Sequence, residues 1–454
     1  MSKPAAVIGK LVLKGEIVAQ KPLIIGSGNN DLADIEVLRD EAGKPFIPAT
    51  SFVGVLRHCI EGESFNTDPH QSKYFWGSKT DNGAQSALCC HDLSLRTDSK
   101  AEIRIRDGVA IDSKTGIAKD KHKYDYEVIE PGASFDMHLE VTVREEFDKE
   151  LFSRILATMV DLLKSGDTSF GAKTTSGFGR CKLEDMKYCE FDFSEEDDVW
   201  RWLKQDFSQD TKIEFEPFQI VQKAFTIDAL FSIKSSLIVR SYSSDPESSD
   251  AVHIKSGEKN VLPGTSIKGA IRARGLKILK TLGCTDVEAM IKINDLFGFA
   301  DEKKKTKIKS RVIVEETEIR NVAAELQHRI KIDRFTGGVI TGALFDSMPL
   351  WSDGNDRAVN IRITINNDYH DWEAGLLLLI LKDLWTEDLP IGGEKNVGRG
   401  ILKGVLAKVR WDGKEVVFEE KKDRLDISPS DLANDLNRFC NSLQCEIIKE
   451  AANG

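Results

Sequence analysis

The sequence reads as an α+β protein made of two tandem copies of one domain, followed by a short helical tail. Motifs that recur in one order, a strand and helix pattern repeated in each half, and chain length predict this. At 454 residues the chain exceeds one ordinary core and fits two domains of about 200 residues. The recurrence is direct. Residues 47–57 read Ile-Pro-Ala-Thr-Ser-Phe-Val-Gly-Val-Leu-Arg and 262–272 read Leu-Pro-Gly-Thr-Ser-Ile-Lys-Gly-Ala-Ile-Arg, an offset of 215. Phe75-Trp76-Gly77 is echoed by Leu296-Phe297-Gly298. The run Ala110 to Gly116 (AIDSKTG) answers Lys331 to Gly337 (KIDRFTG) at an offset of 221. At the same offset Gly171, Gly177 and Gly179 of one glycine-rich loop map on Gly392, Gly398 and Gly400 of another.

The elements follow in order. Each half opens on alternating apolar and polar residues, the pattern of a half-buried strand: Ile8 to Gln20, then Phe225 to Val239. Each Pro-x-Thr-Ser starts a helix, and its hydroxyls are expected to cap first-turn N–H groups. Strand-like segments surround the Asp-x-x-Thr-Gly loops. A late amphipathic helix, Lys149 to Lys164 and Glu373 to Trp385, leads into the glycine loop and a last strand. That order is RRM-like, the ferredoxin-like α+β arrangement, occurring twice. The domains are placed at 1–215 and 216–427, with the boundary in the acid-rich stretch between Phe191 and Phe218; residues 428–454 form the helical tail, a candidate docking element.

Composition excludes several classes. Apolar residues make up 41% and charged residues 30%, and no stretch reaches the ~20 apolar residues that span a bilayer. The N-terminus lacks a signal peptide's pattern, so a cytoplasmic location and no membrane partner are expected. Eight cysteines form no C-x-x-C pair. Cys89-Cys90-His91 has no second ligand pair at a familiar spacing, which favours reduced thiols over zinc. A net charge of −11 argues against a surface that grips phosphate everywhere, but not against a local basic groove. Lys303, Lys304, Lys305, Lys307, Lys309 and Arg311 crowd one stretch; by itself such a run is a solvated face.

Gly264 to Gly269 (GTSIKG) is not a Walker loop, because Ala270-Ile271 replaces Lys-Ser/Thr after the second glycine. Gly26-Ser27-Gly28 lacks a dinucleotide fingerprint's third glycine. The paired Pro-x-Thr-Ser helices offer N-terminal N–H groups to a phosphate, with Ser51 and Arg57 in one half and Ser266, Lys268, Arg272 and Arg274 in the other. The glycine loops add Lys173, Arg180, Lys395 and Arg399 beside backbone that RNA can approach closely. The plainer readings are capped helices with surface cations and tight turns. Histidines, including His58, His91, His122 and His328, do not recur between halves. A duplicated catalytic histidine is unsupported; His122 and His328, near the Asp-x-x-Thr-Gly loops, are candidates for RNA contact, with ordinary surface residues as the plainer reading.

The strand, then (Ile/Leu)-Pro-x-Thr-Ser-x-x-Gly-x-(Leu/Ile)-Arg, then Ile-Asp-x-x-Thr-Gly, then the glycine-rich loop resembles the RAMP (repeat-associated mysterious protein) superfamily. The match is to backbone subunits of type III CRISPR effectors, and two such domains in one chain resemble the fused double-backbone subunit of type III-D complexes. The resemblance implies tandem RAMP domains, each with an inserted thumb β-hairpin, and places Ile111, Asp112, Ile332 and Asp333 in the thumbs. It implies CRISPR RNA, target single-stranded RNA and other backbone, large and small effector subunits as partners. It also implies that a loop aspartate cuts target RNA. That residue matches Asp34, with Asp40 six positions on, and in the second half Asp250, with Asp245 a weaker match. The second loop lacks the Arg39-Asp40 pair, and Ala49 and Val53 replace the usual glycine and lysine of the first helix.

A lone exposed carboxylate is a poor base at neutral pH, so the expected chemistry is attack by the RNA's own 2′-OH with Mg²⁺ or Mn²⁺ held by Asp34 and Asp250. Two other readings remain open. One is a scaffold that binds guide RNA without cutting; the other is a metal-free enzyme that matures CRISPR precursor RNA.

Overall fold

A computed structural model describes residues 6–26, 34–60, 69–79, 83–112, 115, 117–213, 215–220, 223–241, 249–301, 306–354, 358–366, 369–421 and 424–453. Packing divides the chain into two units. The first comprises Met1–Gly108, Tyr124–Thr174 and Phe178–Val221; the second comprises Val109–Lys123, Thr175–Gly177 and Gln222–Gly454.

In the first half the main strands are β1 (Val7–Ala19), β2 (Leu88–Cys90), β3 (Ile103–Ile111), β4 (Ala118–Ile129), β5 (Ser134–Arg144) and β6 (Cys181–Asp192). Alternation in β1 buries Leu11, Leu13 and Ile17 on one face, while Val12 on the other joins Cys189 and Phe191. A strand buried on both faces belongs in the middle of a sheet. It pairs antiparallel with β5 on one side and β6 on the other, giving the order β2-β5-β1-β6. Helices α1 (Ala49–Ile60), α2 (Pro69–Trp76) and α3 (Lys149–Ser165) connect the strands, and α4 (Glu196–Leu203) follows β6. Asp148 caps α3 by accepting the Leu151 N–H at 3.0 Å, and Gly166 ends it with φ 71°. The face formed by Phe152, Ile155, Leu156, Met159 and Leu163 is buried in the core.

The second half has β7 (Ala224–Ile233), β8 (Ala251–His253), β9 (Val312–Val314), β10 (Gln327–Ile332), β11 (Val339–Met348), β12 (Val359–Asn366), β13 (Leu402–Trp411), β14 (Lys414–Lys421) and β15 (Arg424–Ser428). Its sheet runs β9-β12-β7-β13, continued by β14 and β15. Those first four positions reproduce the order of the other half. In both halves the third core strand lies between the second and the first, as a ferredoxin-like domain requires. Both halves insert a hairpin between the second and third core strands: β3 and β4 in one, β10 and β11 in the other.

Helices α5 (Gly264–Thr281), α6 (Asp286–Phe297) and α7 (Asp371–Trp385) pack together with this second sheet. The tail forms α8 (Ala433–Asn453), whose Leu436, Phe439, Leu443 and Ile447 are buried in the second unit's core, against α7. The apolar run from Ala374 to Leu381 lies inside α7 and is largely buried. Among the described residues no helix is long and apolar enough to cross a membrane.

One local expectation is corrected. The Thr and Ser of Pro-x-Thr-Ser do not cap their helices from outside, because each helix begins directly after the proline. Pro263 is the boundary residue of α5 (φ −62°, ψ 136°) and offers no side-chain cap bond. At α1 the Ala49 N–H donates to Asp92 Oδ1 at 2.7 Å, so a carboxylate satisfies the first N–H of that helix.

Candidate functional site

The two loop aspartates occupy matching places. Asp34 Oδ2 accepts the Asp125 N–H, and Asp125 Oδ1 accepts the Asp34 N–H, both at 3.1 Å. Asp125 lies on β4, the return strand of the hairpin, and a parallel bridge between Ile35 and Tyr126 sets this register. In the second half Asp250 Oδ2 accepts the Asp346 N–H at 3.0 Å. Asp346 lies on the return strand β11, whose parallel pairing with β8 matches Ala251 to Ser347. Both loop aspartates are exposed. The second site extends one strand further, since His328 is the register partner of Asp346 and its Nδ1 lies 2.7 Å from Asp346 Oδ1. Side chains of directly opposed residues share a sheet face, so Asp250, Asp346 and His328 form one row. Asp107 stands 221 residues before His328. His122's side chain and Asp245 lie outside the described residues.

The Arg39-Asp40 pair has a structural account. Asp40 Oδ1 accepts the Ala42 and Lys44 N–H groups at 2.9 and 2.8 Å, closing a turn. Arg39 forks onto Glu127 at 2.9 Å per arm, and Glu127 also accepts the Val37 N–H. Among the described residues no three His, Cys, Asp or Glu side chains converge to hold a metal ion, Cys89-Cys90-His91 included. Asp34 and Asp125 each keep one carboxylate oxygen outside their mutual bonds. That suits a hydrated Mg²⁺ held by one or two carboxylates, rather than a cage of protein ligands.

The glycine loops are closed by the same backbone bonds. Phe170 N–H donates to the Gly179 carbonyl at 2.8 Å and Ile391 N–H to the Gly400 carbonyl at 2.9 Å. Gly179 N–H reaches Pro22 O, and Gly400 N–H reaches Ser236 O, each at 2.7 Å. Gly179 has φ 80° and Gly400 φ 79°, and a Cβ on either would lie 1.9 Å from a carbonyl oxygen, of Phe170 or Ile391. Only glycine fits both demands.

The side chains under these loops differ. In the first, Lys173 Nζ sits 3.5 Å over the Tyr126 ring and 4.4 Å over the Tyr124 ring, and donates to Tyr124 Oη at 3.2 Å. Burial pushes its ammonium down to about 8. In the second, the same left-handed backbone position holds Glu394, 7% exposed, which pairs with Arg240, with Arg329 at 2.8 Å and with Arg399 at 3.2 Å. Burial alone would raise the Glu394 carboxyl, but Arg240, Arg399 and Arg329 hold it below its usual range.

Most cations expected to meet phosphate are engaged inside the protein. Arg272 donates to Gly298 O at 2.9 Å and to Asn294 Oδ1 at 2.6 Å, tying α5 to the C-terminus of α6. Arg274 pairs with Asp383 of α7. Lys268 Nζ donates to Thr175 Oγ1 at 2.8 Å and to Thr175 O at 3.2 Å, within the second unit, and burial lowers it to about 7. Arg399, 3% exposed, also donates to Gln327 and Ser347. Arg180 pairs with Asp167 at 3.1 Å, and Arg311 forks onto Glu373 at 2.7 Å per arm. Ser266 is half-buried in the first turn of α5 and Arg57 half-buried in the last turn of α1. Ser51 and Lys395 are exposed at α1 and on the second glycine loop, and Lys307 and Lys309 are exposed too. Lys303, Lys304 and Lys305 lie outside the described residues.

Asp112 and Asp333 build the hairpin turns. Asp112 Oδ1 accepts the Thr115 N–H at 2.9 Å and its hydroxyl at 3.2 Å; Asp333 Oδ1 accepts the Thr336 N–H at 2.9 Å and its hydroxyl at 3.2 Å. Neighbouring Ile111 and Ile332 are exposed, and Phe335 is fully so.

The fold and site define a tandem pair of ferredoxin-like domains, each with a hairpin beside a loop aspartate. The RAMP superfamily model matches residues 16–182 and 230–403, and the chain belongs to that superfamily. RAMP proteins are associated with RNA binding in type III CRISPR effector complexes. No curated protein matches the chain in sequence.

Proposed function

We propose that the chain is the fused double-backbone subunit of a type III-D CRISPR effector, binding CRISPR RNA and cutting guide-paired target RNA beside Asp34 and Asp250. The observation that carries this reading is the placement of both exposed aspartates against the return strands of equivalent hairpins. Pairing with the guide selects the target, and protein contacts to the sugar-phosphate backbone hold it. The exposed apolar tip at Ile332 and Phe335 suits contact with unstacked bases. At each cut the chain holds one phosphodiester so that its own 2′-oxygen lies in line with the leaving oxygen. Asp34, braced by the Asp125 N–H, turns the carboxylate oxygen outside that bond towards the phosphate. When bound there, Mg²⁺ or Mn²⁺ would offset negative charge on the phosphate oxygens.

The test is a cleavage assay with the full chain assembled on guide RNA with its large and small subunit partners. Asp34→Ala and Asp250→Ala are each expected to remove one mapped cut, by about 100-fold or more, while guide retention is unchanged. Persistence of both cuts in the double variant overturns the assignment. It would support the scaffold reading, which the internal pairing of Arg272, Arg274, Lys268 and Arg399 favours. Metal-free cleavage of precursor RNA alone would instead support the maturation reading.

A further inference from the structure

The second carboxylate row ends in an imidazole that the mechanism above leaves unused. His328 and Asp346 face each other across β10 and β11, 2.7 Å apart. An ionised carboxylate only accepts, so this contact assigns the proton to Nδ1 and leaves Nε2 with the lone pair. His328 is 63% exposed, which leaves Nε2 accessible to a bound strand. The Asp346 N–H in turn holds Asp250. On the opposite face of the hairpin, Gln327 accepts from Arg399 and Arg329 pairs with Glu394, fixing β10 in place. On the row's own face, Asp346 of β11 and Asp250 beside β8 are the charged groups among the described residues, and Ile330 and Leu344 continue it.

We propose that His328 is the general base of the second cut, an inference that rests on the function proposed above. Nε2 takes the proton of the 2′-OH as the O2′–P bond forms and the P–O5′ bond breaks. The products are a 2′,3′-cyclic phosphate and, once the leaving oxygen takes a proton from water, a 5′-hydroxyl. Asp346 fixes the ring and offsets the charge of the imidazolium, as a carboxylate does in other His–Asp pairs. The first unit carries Asp107 at the corresponding sequence position. The two cuts therefore differ in mechanism.

The experiment maps and times both cuts on end-labelled complementary RNA for wild type, His328→Gln, His328→Ala, Asp346→Asn and Asp250→Asn in the guide-loaded assembly. His328→Gln should slow the Asp250 cut about 100-fold or more and leave the Asp34 cut and guide retention unchanged. Imidazole should restore part of the rate to His328→Ala. Asp346→Asn should slow the second cut less, because Asp250 is held by the residue's backbone N–H. A second-cut rate in His328→Gln within about twofold of wild type, with Asp250→Asn still inactive there, overturns this inference and leaves the parent reading standing. A wild-type assembly that makes no second cut overturns both.

Discussion

Beneath the glycine loop of the first unit lies an apolar box, and beneath that of the second lies an ionic one. Lys173 rests on Tyr124 and Tyr126, beside buried Ile24, Val128 and Phe178. Glu394 is enclosed by Arg240, Arg329 and Arg399. The positions correspond: Lys173 to Glu394, Tyr124 to Phe345, Tyr126 to Ser347, Phe178 to Arg399, all at an offset of 221. The backbone bonds that close the loops are retained, while the side chains beneath have changed as a set. Each set balances itself. A cation meets aromatic faces in one, and a carboxylate meets guanidiniums in the other. Exchanging one member without its neighbours breaks that balance.

The largest expected effect comes from breaking the ionic box. Glu394→Lys puts a fourth cation among three guanidiniums and should cost about 3–5 kcal/mol, as removal of one partner from a buried ion pair does. Hydrogen exchange read peptide by peptide should show the loss in β10, β11 and the 392–400 loop, with β3 and β4 protected as in wild type. Equal loss in both hairpins would mean that the boxes are not independent.

Next in size are Gly179→Ala and Gly400→Ala. Each new Cβ collides with a carbonyl oxygen at a left-handed position, so each should destabilise its own unit by about 3 kcal/mol or more. Thermal unfolding checks the magnitudes. Matching losses would show that the backbone frame is equivalent although the boxes are not; a loss under about 1 kcal/mol in either would show that its loop rearranges freely.

The frame was legible because its requirements are local. Glycine at positive φ, proline at a helix start and aspartate in a hairpin turn each leave a fixed residue at a fixed spacing. Two copies made the pattern visible at Gly179 and Gly400 and at Asp112 and Asp333. The roles of the cations were not legible, because a partner far along the chain decides them. Arg274 meets Asp383 and Arg399 meets Gln327 only once the helices and hairpin are packed. His328 has no counterpart in the first half, where Asp107 stands at the 221-residue offset, so the repeat does not mark it. The available signal was its strand partner rather than its own repeat, and finding Asp346 opposite it needed the hairpin register, with the 221-residue offset tying that residue to Asp125.

The smallest effect concerns Lys173 itself and turns on pH. Burial lowers its ammonium from the ordinary lysine value of 10.5 to about 8, so between those values the unfolded chain binds more protons than the folded one. Stability from this group therefore rises with pH across that window; the penalty for burying the charge is full below about pH 8 and gone above about pH 10.5. Lys173→Met removes the titration and keeps much of the volume over the two tyrosines. Wild type should then gain on the variant by on the order of 1–3 kcal/mol between pH 7 and 10, less whatever the tyrosine faces return to the ammonium. Urea midpoints of both chains at the two pH values measure this, and Lys268, present in both, cancels. A constant gap would mean that Lys173 stays hydrated in its box. A gain of wild type on the variant as pH rises would show that the aromatic faces offset burial of the Lys173 charge only in part, where the second unit meets its buried charge with opposite ones.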